Sequence, residues 1–444
     1  MKDYDHQGRN GYVEFDGHRT IFSRDGFSFQ LLYDKVGAEA SRSTTRMKNL
    51  EEYIIGKTQE NYEIAILTGA FECFSYAPCT IRTSFYMIGC TNNIADTTID
   101  KYFAIEFIGG SLDLLYKYRS SRIKKSEQEW LLTIDASSIE STFDYNGKKC
   151  KIIICYAPSN DSPTDFATHL RFEFETSQVI CDLQTYIRWA YRLVSLLLNR
   201  QNVGFDNIIT YSSIGQFGDG WYPTATCYIR NSYINGLTSH RDGIGFEQIG
   251  CRIGELMRII ANADSREEQF TLNFHPESDT ETNFVSTDQL RNICSALEHE
   301  IEVCSDLNVP ENEQLKDLVS IVKKVVKEHR DGELPLLEST YDLIFSDLAH
   351  WGIPLRLKII SLCEKFDQIL LNCRDVESSA YSDERIQEFV KYRNKISHGT
   401  YYPMTQNVAE TAIAMEALVY ICILHRIGIS EEELLNLAKW VIGR

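Results

Sequence analysis

The stretch "DLQTYIRWAYRLVSLLLNR" (182–200) divides the sequence into two kinds of pattern. Within it, apolar residues recur at i, i+3, i+4 and i+7, which predicts an amphipathic helix. Before it, segments such as "KYFAIEFIGGSLDLLY" (101–116) and "THLRFEFET" (168–176) are rich in Ile, Val, Phe, Tyr and Thr. Turn residues separate these segments, so they predict β-strands. Such a pattern is typical of a β-sandwich or a barrel-like domain, and we expect an N-terminal all-β, sandwich-like domain over residues 1–177.

After this domain the pattern is mixed. The strand-like segments "DNIITYSSI" and "ATCYIRN" precede a second helical pattern over 246–263. We interpret 178–283 as a connecting region packed on the β domain. The polar and acidic stretch "HPESDTETN" (275–283) is the best candidate for a linker within it.

From residue 284 to residue 444 the pattern is helical throughout, so the fold class is α+β multidomain, with a C-terminal all-α helical bundle. Thr287 and Ser430 are candidate N-caps, and Gly399 and Gly428 are candidate residues just after a helix end. The predicted helices are 287–304, 311–330, 337–351, 354–373, 382–399, 405–428 and 430–443.

Composition indicates a folded, cytoplasmic protein. The 444 residues are 43% hydrophobic and 24% charged, and no apolar run approaches the ~18–20 residues of a membrane helix. The start lacks the apolar segment of a secretory signal. Thirteen cysteines without a CxxC pair indicate reduced thiols. A net charge of −18 excludes indiscriminate coating of nucleic acid, so any nucleic-acid chemistry must occur in a local cleft.

One charged residue interrupts the apolar face of the helix predicted over 382–399. Arg393 lies near the centre of the sector, and burying an unpaired guanidinium costs several kcal/mol. Either it forms a buried pair with an acid, for which Glu298 and Asp342 are candidates, or the face borders a polar seam that anions enter. The sector consists of Ile386, Phe389, Val390, Ile396 and Ser397.

Asn394 and His398 lie together on one flank of this sector of the predicted helix. Arginine offers a bidentate fork for phosphate, and a histidine in the last helical turn has its cationic form favoured. Taken singly, such a histidine more commonly satisfies terminal carbonyls. Taken together, the residues suit RNA cleavage, in which the 2′-OH attacks, one group moves a proton and a cation stabilises the phosphate. This chemistry needs neither metal nor cofactor.

The run Arg393-Asn394-Lys395-Ile396-Ser397-His398 resembles the R-x(4–6)-H motif of HEPN-domain ribonucleases, including the polar residue after the arginine. With an N-terminal β domain, the layout is similar to ApeA-type HEPN proteins of bacterial abortive-infection defence. The resemblance implies a homodimer or higher homo-oligomer with two motifs facing each other. Arg393 would stabilise phosphate, His398 would be the acid/base and Asn394 would support them. The products would be a 2′,3′-cyclic phosphate and a 5′-OH.

Three neighbouring residues are weaker substrate-binding candidates. Tyr401 and Tyr402 suit stacking on a splayed RNA base, although packing at the helix end is the commoner role. Lys395 either contacts backbone phosphate or faces water. The basic stretch 316–330 either guides RNA or is a solvated helix face.

The sequence contains no Walker A loop, HExxH, GxSxG or metal-ligand spacing. The resemblance therefore favours a metal-independent antiphage endoribonuclease whose partner is RNA, with tRNA among the candidates. A phage-derived trigger would act through the β domain as sensor or restraint, and no membrane is involved. The alternative is a non-catalytic HEPN module that binds a nucleotide or a partner. A carbohydrate- or ligand-binding β protein with a helical oligomerisation domain leaves the Arg–His pair unexplained.

Overall fold

Two compact units, Met1–Asn262 (the sheet unit) and Ala263–Arg444 (the helical unit), make up the protein in a computed structural model. The large antiparallel sheet of the first and the helices of the second agree with the predicted α+β layout. The residues that the structure describes are 8–15, 18–32, 53–67, 79–90, 99–116, 122–125, 130–133, 138–159, 162–213, 220–230, 243–264, 271–277, 281, 284–304, 313–332, 336–349, 354–373, 376–397 and 402–440.

The strands of the sheet unit are β1 (Asn10–Phe15), β2 (His18–Asp25), β3 (Ser28–Leu32), β4 (Tyr53–Thr58), β5 (Glu63–Leu67), β6 (Cys79–Arg82), β7 (Phe85–Gly89), β8 (Lys101–Ile108), β9 (Arg122–Lys125), β10 (Trp130–Thr133), β11 (Ile139–Tyr145), β12 (Lys148–Ser159), β13 (Ser162–Val179), β14 (Asn207–Ser213) and β15 (Trp221–Ile229). Among the described residues, thirteen of these strands form one antiparallel sheet in the order β11-β12-β13-β8-β14-β15-β7-β5-β4-β1-β2-β3-β6, and β9 and β10 form a separate two-stranded sheet.

One half of this sheet curls onto itself. Four strands separate β3 from β7 in the sheet, yet the rings of Phe29 and Tyr86 lie 5.5 Å apart. The buried side chain of Arg24, on β2, donates from Nη1 to the hydroxyl of Tyr86 at 2.7 Å. A single rolled sheet therefore encloses this core, whereas the sequence predicts a sandwich-like domain. The core contains Val13, Phe22, Phe29, Leu31, Ile54, Ile64, Ile66, Ile81, Tyr86 and Ile88.

Helices cover the other half of the sheet. They are α1 (Leu183–Leu198), α2 (Phe246–Ile249) and α3 (Ile253–Ala261). Trp189 of α1 packs edge-on against Phe143 and Phe172 of the sheet, at ring distances of 5.6 and 6.2 Å. The single helix predicted over 246–263 is interrupted by a 3-10 turn, because Gly250 has a φ of 53° that ends α2.

The division at Asn262 differs from the expected domain boundaries. Strand β14 pairs with β8 on one side and β15 on the other, and β15 also pairs with β7. Residues 178–283, expected to be a connecting region packed on the β domain, therefore contribute two strands to the middle of the sheet. Local sequence patterns carry no signal for pairing between strands about 100 residues apart.

The helical unit contains α4 (Thr287–Val303), α5 (Glu313–Arg330), α6 (Glu338–Ala349), α7 (Leu355–Lys365), α8 (Asp367–Leu370), α9 (Asp383–Ser397), α10 (Gln406–Arg426) and α11 (Glu431–Leu437). Ser430 caps α11 and Gly428 follows α10 with a φ of 81°, as predicted. Ser286 caps α4 in place of the predicted Thr287. The predicted helix end at Gly399 lies outside the described residues.

The bundle is built around α10, which packs against α4, α9 and α11. By length and composition α10 is the one described helix that would cross a membrane, but 78% of its apolar stretch is buried within the protein. His275, predicted to begin a polar linker, is also buried, and its ring stacks on Tyr420 of α10 at 5.6 Å. The start of the helical unit is thus packed onto its central helix.

Candidate active site

Helix α9 carries the predicted motif as far as Ser397 and buries a face that differs from the expected one. The buried residues are Ile386, Phe389, Tyr392 and Ile396, whereas Ser397 is exposed. Tyr392 shifts the centre of this face by part of a turn because an aromatic ring packs while its hydroxyl reaches a polar partner, the carbonyl of Tyr402 at 3.1 Å. Arg393 therefore lies at the edge of the buried face, whereas the sequence pattern predicts a position near its centre.

Arg393 is paired with Glu298 of α4, one of the two acids that the sequence offers. Its Nη2 donates to both carboxylate oxygens, at 2.9 and 3.2 Å. Its Nη1 donates to Oδ1 of Asn394 at 3.1 Å. The side chains of Arg393 and Glu298 are 30% and 37% exposed. A pair this open to water contributes at most about 1 kcal/mol to stability.

The guanidinium of Arg393 retains capacity for another ligand. It has five N–H donors, and three contacts engage them within the described part of the chain. Glu298 fixes the orientation of the fork without burying it. An anion that reaches this surface would therefore meet a positioned cation.

Cys294 lies beneath the pair, one turn before Glu298 on α4, and is buried. Burial raises the pKa of its thiol to about 12, and the negative charge of Glu298 adds to this while the positive charge of Arg393 opposes it. The thiol is therefore protonated at neutral pH and is not available as a nucleophile. The reactive capacity of this surface belongs to its charged groups.

A second arginine at this surface, Arg291 of α4, was missed from the sequence and reaches the end of α9. Nη2 of Arg291 donates to the backbone carbonyl of Ile396, and Nη1 donates to Asp288 at 3.2 Å. The last carbonyls of a helix lack partners within the helix, so Arg291 satisfies one of them. Its spacing of seven residues from Glu298 places both on one face of α4, which was the available signal.

Two of the three weaker candidates, Lys395 and Tyr402, lie against each other. Nζ of Lys395 lies 3.8 Å from the centre of the Tyr402 ring, so it covers one face of that ring. Tyr402 is otherwise partly exposed. Lys395 itself is exposed, so its ammonium lies over the Tyr402 ring and also faces water. His398 and Tyr401 lie outside the described residues.

The sheet unit contains a buried charged cluster that the sequence analysis also missed. Glu106 of β8 accepts from Nε and Nη2 of Arg171 at 3.1 and 2.8 Å, and from the hydroxyl of Tyr211 at 2.6 Å. Nδ1 of His169 lies 3.3 Å from the same carboxylate. The register places Arg171 directly opposite Glu106, on neighbouring strands.

The cluster keeps Glu106 ionised although the residue is buried. Burial by itself would raise the pKa of Glu106, but the hydrogen bond to His169, the charge of Arg171 and the hydroxyl of Tyr211 outweigh it, and the pKa is lowered. Nε2 of His169 is buried without a hydrogen-bond partner in the described chain. The described residues include no group of three or more His, Cys, Asp or Glu side chains that could hold a metal ion.

No family model matches this chain, and no curated protein or solved structure matches it either.

Proposed function

We propose that the protein is a metal-independent endoribonuclease of the HEPN type, with Arg393 and His398 as its catalytic pair. The observation that supports this most directly is the state of Arg393: half-exposed, oriented by Glu298 and with donors to spare. Helix α9 ends at Ser397, immediately before His398 in the sequence. A buried, fully bonded arginine would have argued against the proposal.

In the proposed reaction, the ribose 2′-OH attacks the adjacent phosphorus, and His398 accepts its proton. The O2′–P bond forms, the P–O5′ bond breaks, and the proton that His398 accepted is delivered to the 5′ oxygen. Arg393 stabilises the charge on the phosphate in the transition state, with Asn394 holding one of its nitrogens. The products are a 2′,3′-cyclic phosphate and a 5′-OH, and two copies of the motif face each other in a homodimer.

The biological setting we propose is antiphage defence by abortive infection. A nuclease that cleaved host RNA constantly would poison its own cell, so we expect a restrained resting state. The sheet unit would then sense a phage-derived signal or hold the nuclease inactive. Purified protein that degrades cellular RNA indiscriminately without a trigger would contradict this restraint.

The ion pair itself favours a second candidate function. Arg393 and Glu298 join α9 to α4, which is the role of an arginine in a non-catalytic HEPN module that binds a nucleotide or a partner. In that case the contacts of Arg393 would serve packing alone. The two functions differ in what the loss of Arg393 does to RNA.

The test is to express the full-length wild type, Arg393→Ala and His398→Ala at high level and in phage-infected cells, then to map RNA ends. We expect new 5′-OH and cyclic-phosphate ends with the wild type, and a loss of about 100-fold or more with each variant. Cleavage by activated protein should persist in EDTA. Loss of cleavage in EDTA would contradict the metal-free mechanism.

Arg385→Ala is the matched control. Arg385 lies on the same helix and pairs with Glu410 at 2.6 Å, and its side chain is similarly half-buried. This variant removes an equivalent helix–helix ion pair outside the motif, so we expect it to cleave RNA as the wild type does. Folded Arg393→Ala and His398→Ala proteins that produce the same RNA ends as the wild type would show that the protein is not this ribonuclease.

A further inference from the structure

Helix α5 exposes an apolar stripe that the helical unit leaves uncovered. Leu318, Ile321 and Val325 are 48%, 60% and 58% exposed. They are spaced at i, i+3 and i+7, so they lie on one face of the helix. None of the α5 side chains that the structure describes is buried. An aligned stripe of this kind on an 18-residue helix is typical of an interaction surface.

Only part of the apolar face of α5 is used within the described chain. Val319, Val322 and Val326 are half-buried, and α6 is the helix that packs against α5. Nδ1 of His329 and the hydroxyl of Tyr341 lie 2.8 Å apart and join the two helices. The resulting helical hairpin is held at one side of α5, and the stripe lies on another side.

Two charged residues beside the stripe, Asp317 and Lys324, are placed symmetrically about its centre. Asp317 and Lys324 are exposed and lie seven residues apart, so they flank the stripe on the same side. The point halfway between these two residues along the helix lies next to Ile321. Leu318 and Val325 lie on either side of the same point. Lys324 makes a long, exposed contact with Glu328, at 3.9 Å, which leaves its ammonium accessible.

We propose that the stripe is a self-association surface, on which α5 of a second copy of this chain packs in the antiparallel direction. A two-fold axis near Ile321 brings Leu318 of one copy to Val325 of the other. The same axis places Asp317 opposite Lys324 of the other copy, twice, so the surface is complementary to itself.

The stripe does not suit RNA, although the basic stretch 316–330 allowed that interpretation. Lys316, Lys323 and Lys327 lie on the side of the helix opposite Leu318, Ile321 and Val325, about half a turn away. The stripe itself is apolar and is flanked by an acid. A phosphate backbone would meet neither a row of cations nor a planar stacking surface there.

The test is the sedimentation of the full-length protein over a range of concentrations. A single helix pair is a small interface, so we expect association in the micromolar range. Ile321→Glu should abolish this association step because it places two carboxylates at the axis. Asp317→Lys and Lys324→Asp should each weaken it about tenfold, and the double variant should restore it because the opposite charges face each other again.

Two controls separate this surface from other effects. Leu357→Glu alters an equally exposed leucine on α7 and should leave association unchanged. Arg385→Ala, on α9 outside the motif, should also leave it unchanged, and the inference does not depend on the ribonuclease proposal. A wild type that shows no association step, or a step that Ile321→Glu leaves intact, overturns the proposal. Failure of the charge-swapped double variant to restore association overturns the antiparallel arrangement.

Discussion

Two arginine–glutamate pairs, one in each unit, differ in what surrounds them. Glu106 in the sheet unit is 2% exposed and has an arginine, a histidine and a tyrosine as partners. Glu298 in the helical unit is more than a third exposed and holds an arginine that keeps spare donors. The first arrangement is typical of a structural network, since burial makes every partner necessary. The second leaves its cation accessible to a ligand.

The largest expected effect is on the buried pair. Glu106→Ala leaves the guanidinium of Arg171 and the hydroxyl of Tyr211 without their acceptor, so we expect a loss of about 3–5 kcal/mol in the free energy of unfolding. Urea denaturation followed by circular dichroism measures it. Glu140→Ala is the control, since its pair with Lys151 is exposed and is worth less than about 1 kcal/mol. Equal losses for both variants would contradict the structural role of the cluster.

The second expected effect is on how the stability of the folded protein depends on pH. The pKa of Glu106 is lowered in the folded protein, so its ionised form contributes stability that is fully present above its unfolded pKa of about 4.3. That contribution is lost as the pH falls through the lower folded pKa. We expect the stability difference between the wild type and Glu106→Gln to shrink as the pH falls from about 6 to about 3, the range in which carboxylates titrate. A stability difference that is constant over this pH range would show that the partners of Glu106 do not stabilise its ionised form.

The local features of the helical unit could be predicted well from the sequence. The motif helix, predicted over 382–399, is observed over Asp383–Ser397, and α10 matches its prediction as closely. Amphipathic periodicity and cap residues are properties of neighbouring positions, so a single sequence contains them. Ser286 replaces Thr287 as a cap because adjacent hydroxyl residues compete for one position.

The features that the sequence did not predict depend on contacts between distant parts of the chain. Strand β14 lies between β8 and β15, and Arg171 faces Glu106, because of register that no local pattern encodes. The same holds for Arg291, which reaches the carbonyl of Ile396 from another helix. The choice of Glu298 over Asp342 as the partner of Arg393 also required helix packing. The motif was enough to suggest chemical roles for its residues, but it did not predict which residues they contact.

The smallest expected effect on stability is also the most informative, because the exposed pair should matter for activity and little for folding. Thermal unfolding and RNA cleavage measured on the same preparations of wild type, Arg393→Ala and Arg385→Ala test this directly. We predict that both variants lose no more than about 1 kcal/mol of stability and that only Arg393→Ala loses cleavage, by about 100-fold or more. Cleavage that is unchanged in Arg393→Ala, with a stability loss larger than that of Arg385→Ala, would contradict the account and assign Arg393 a structural role.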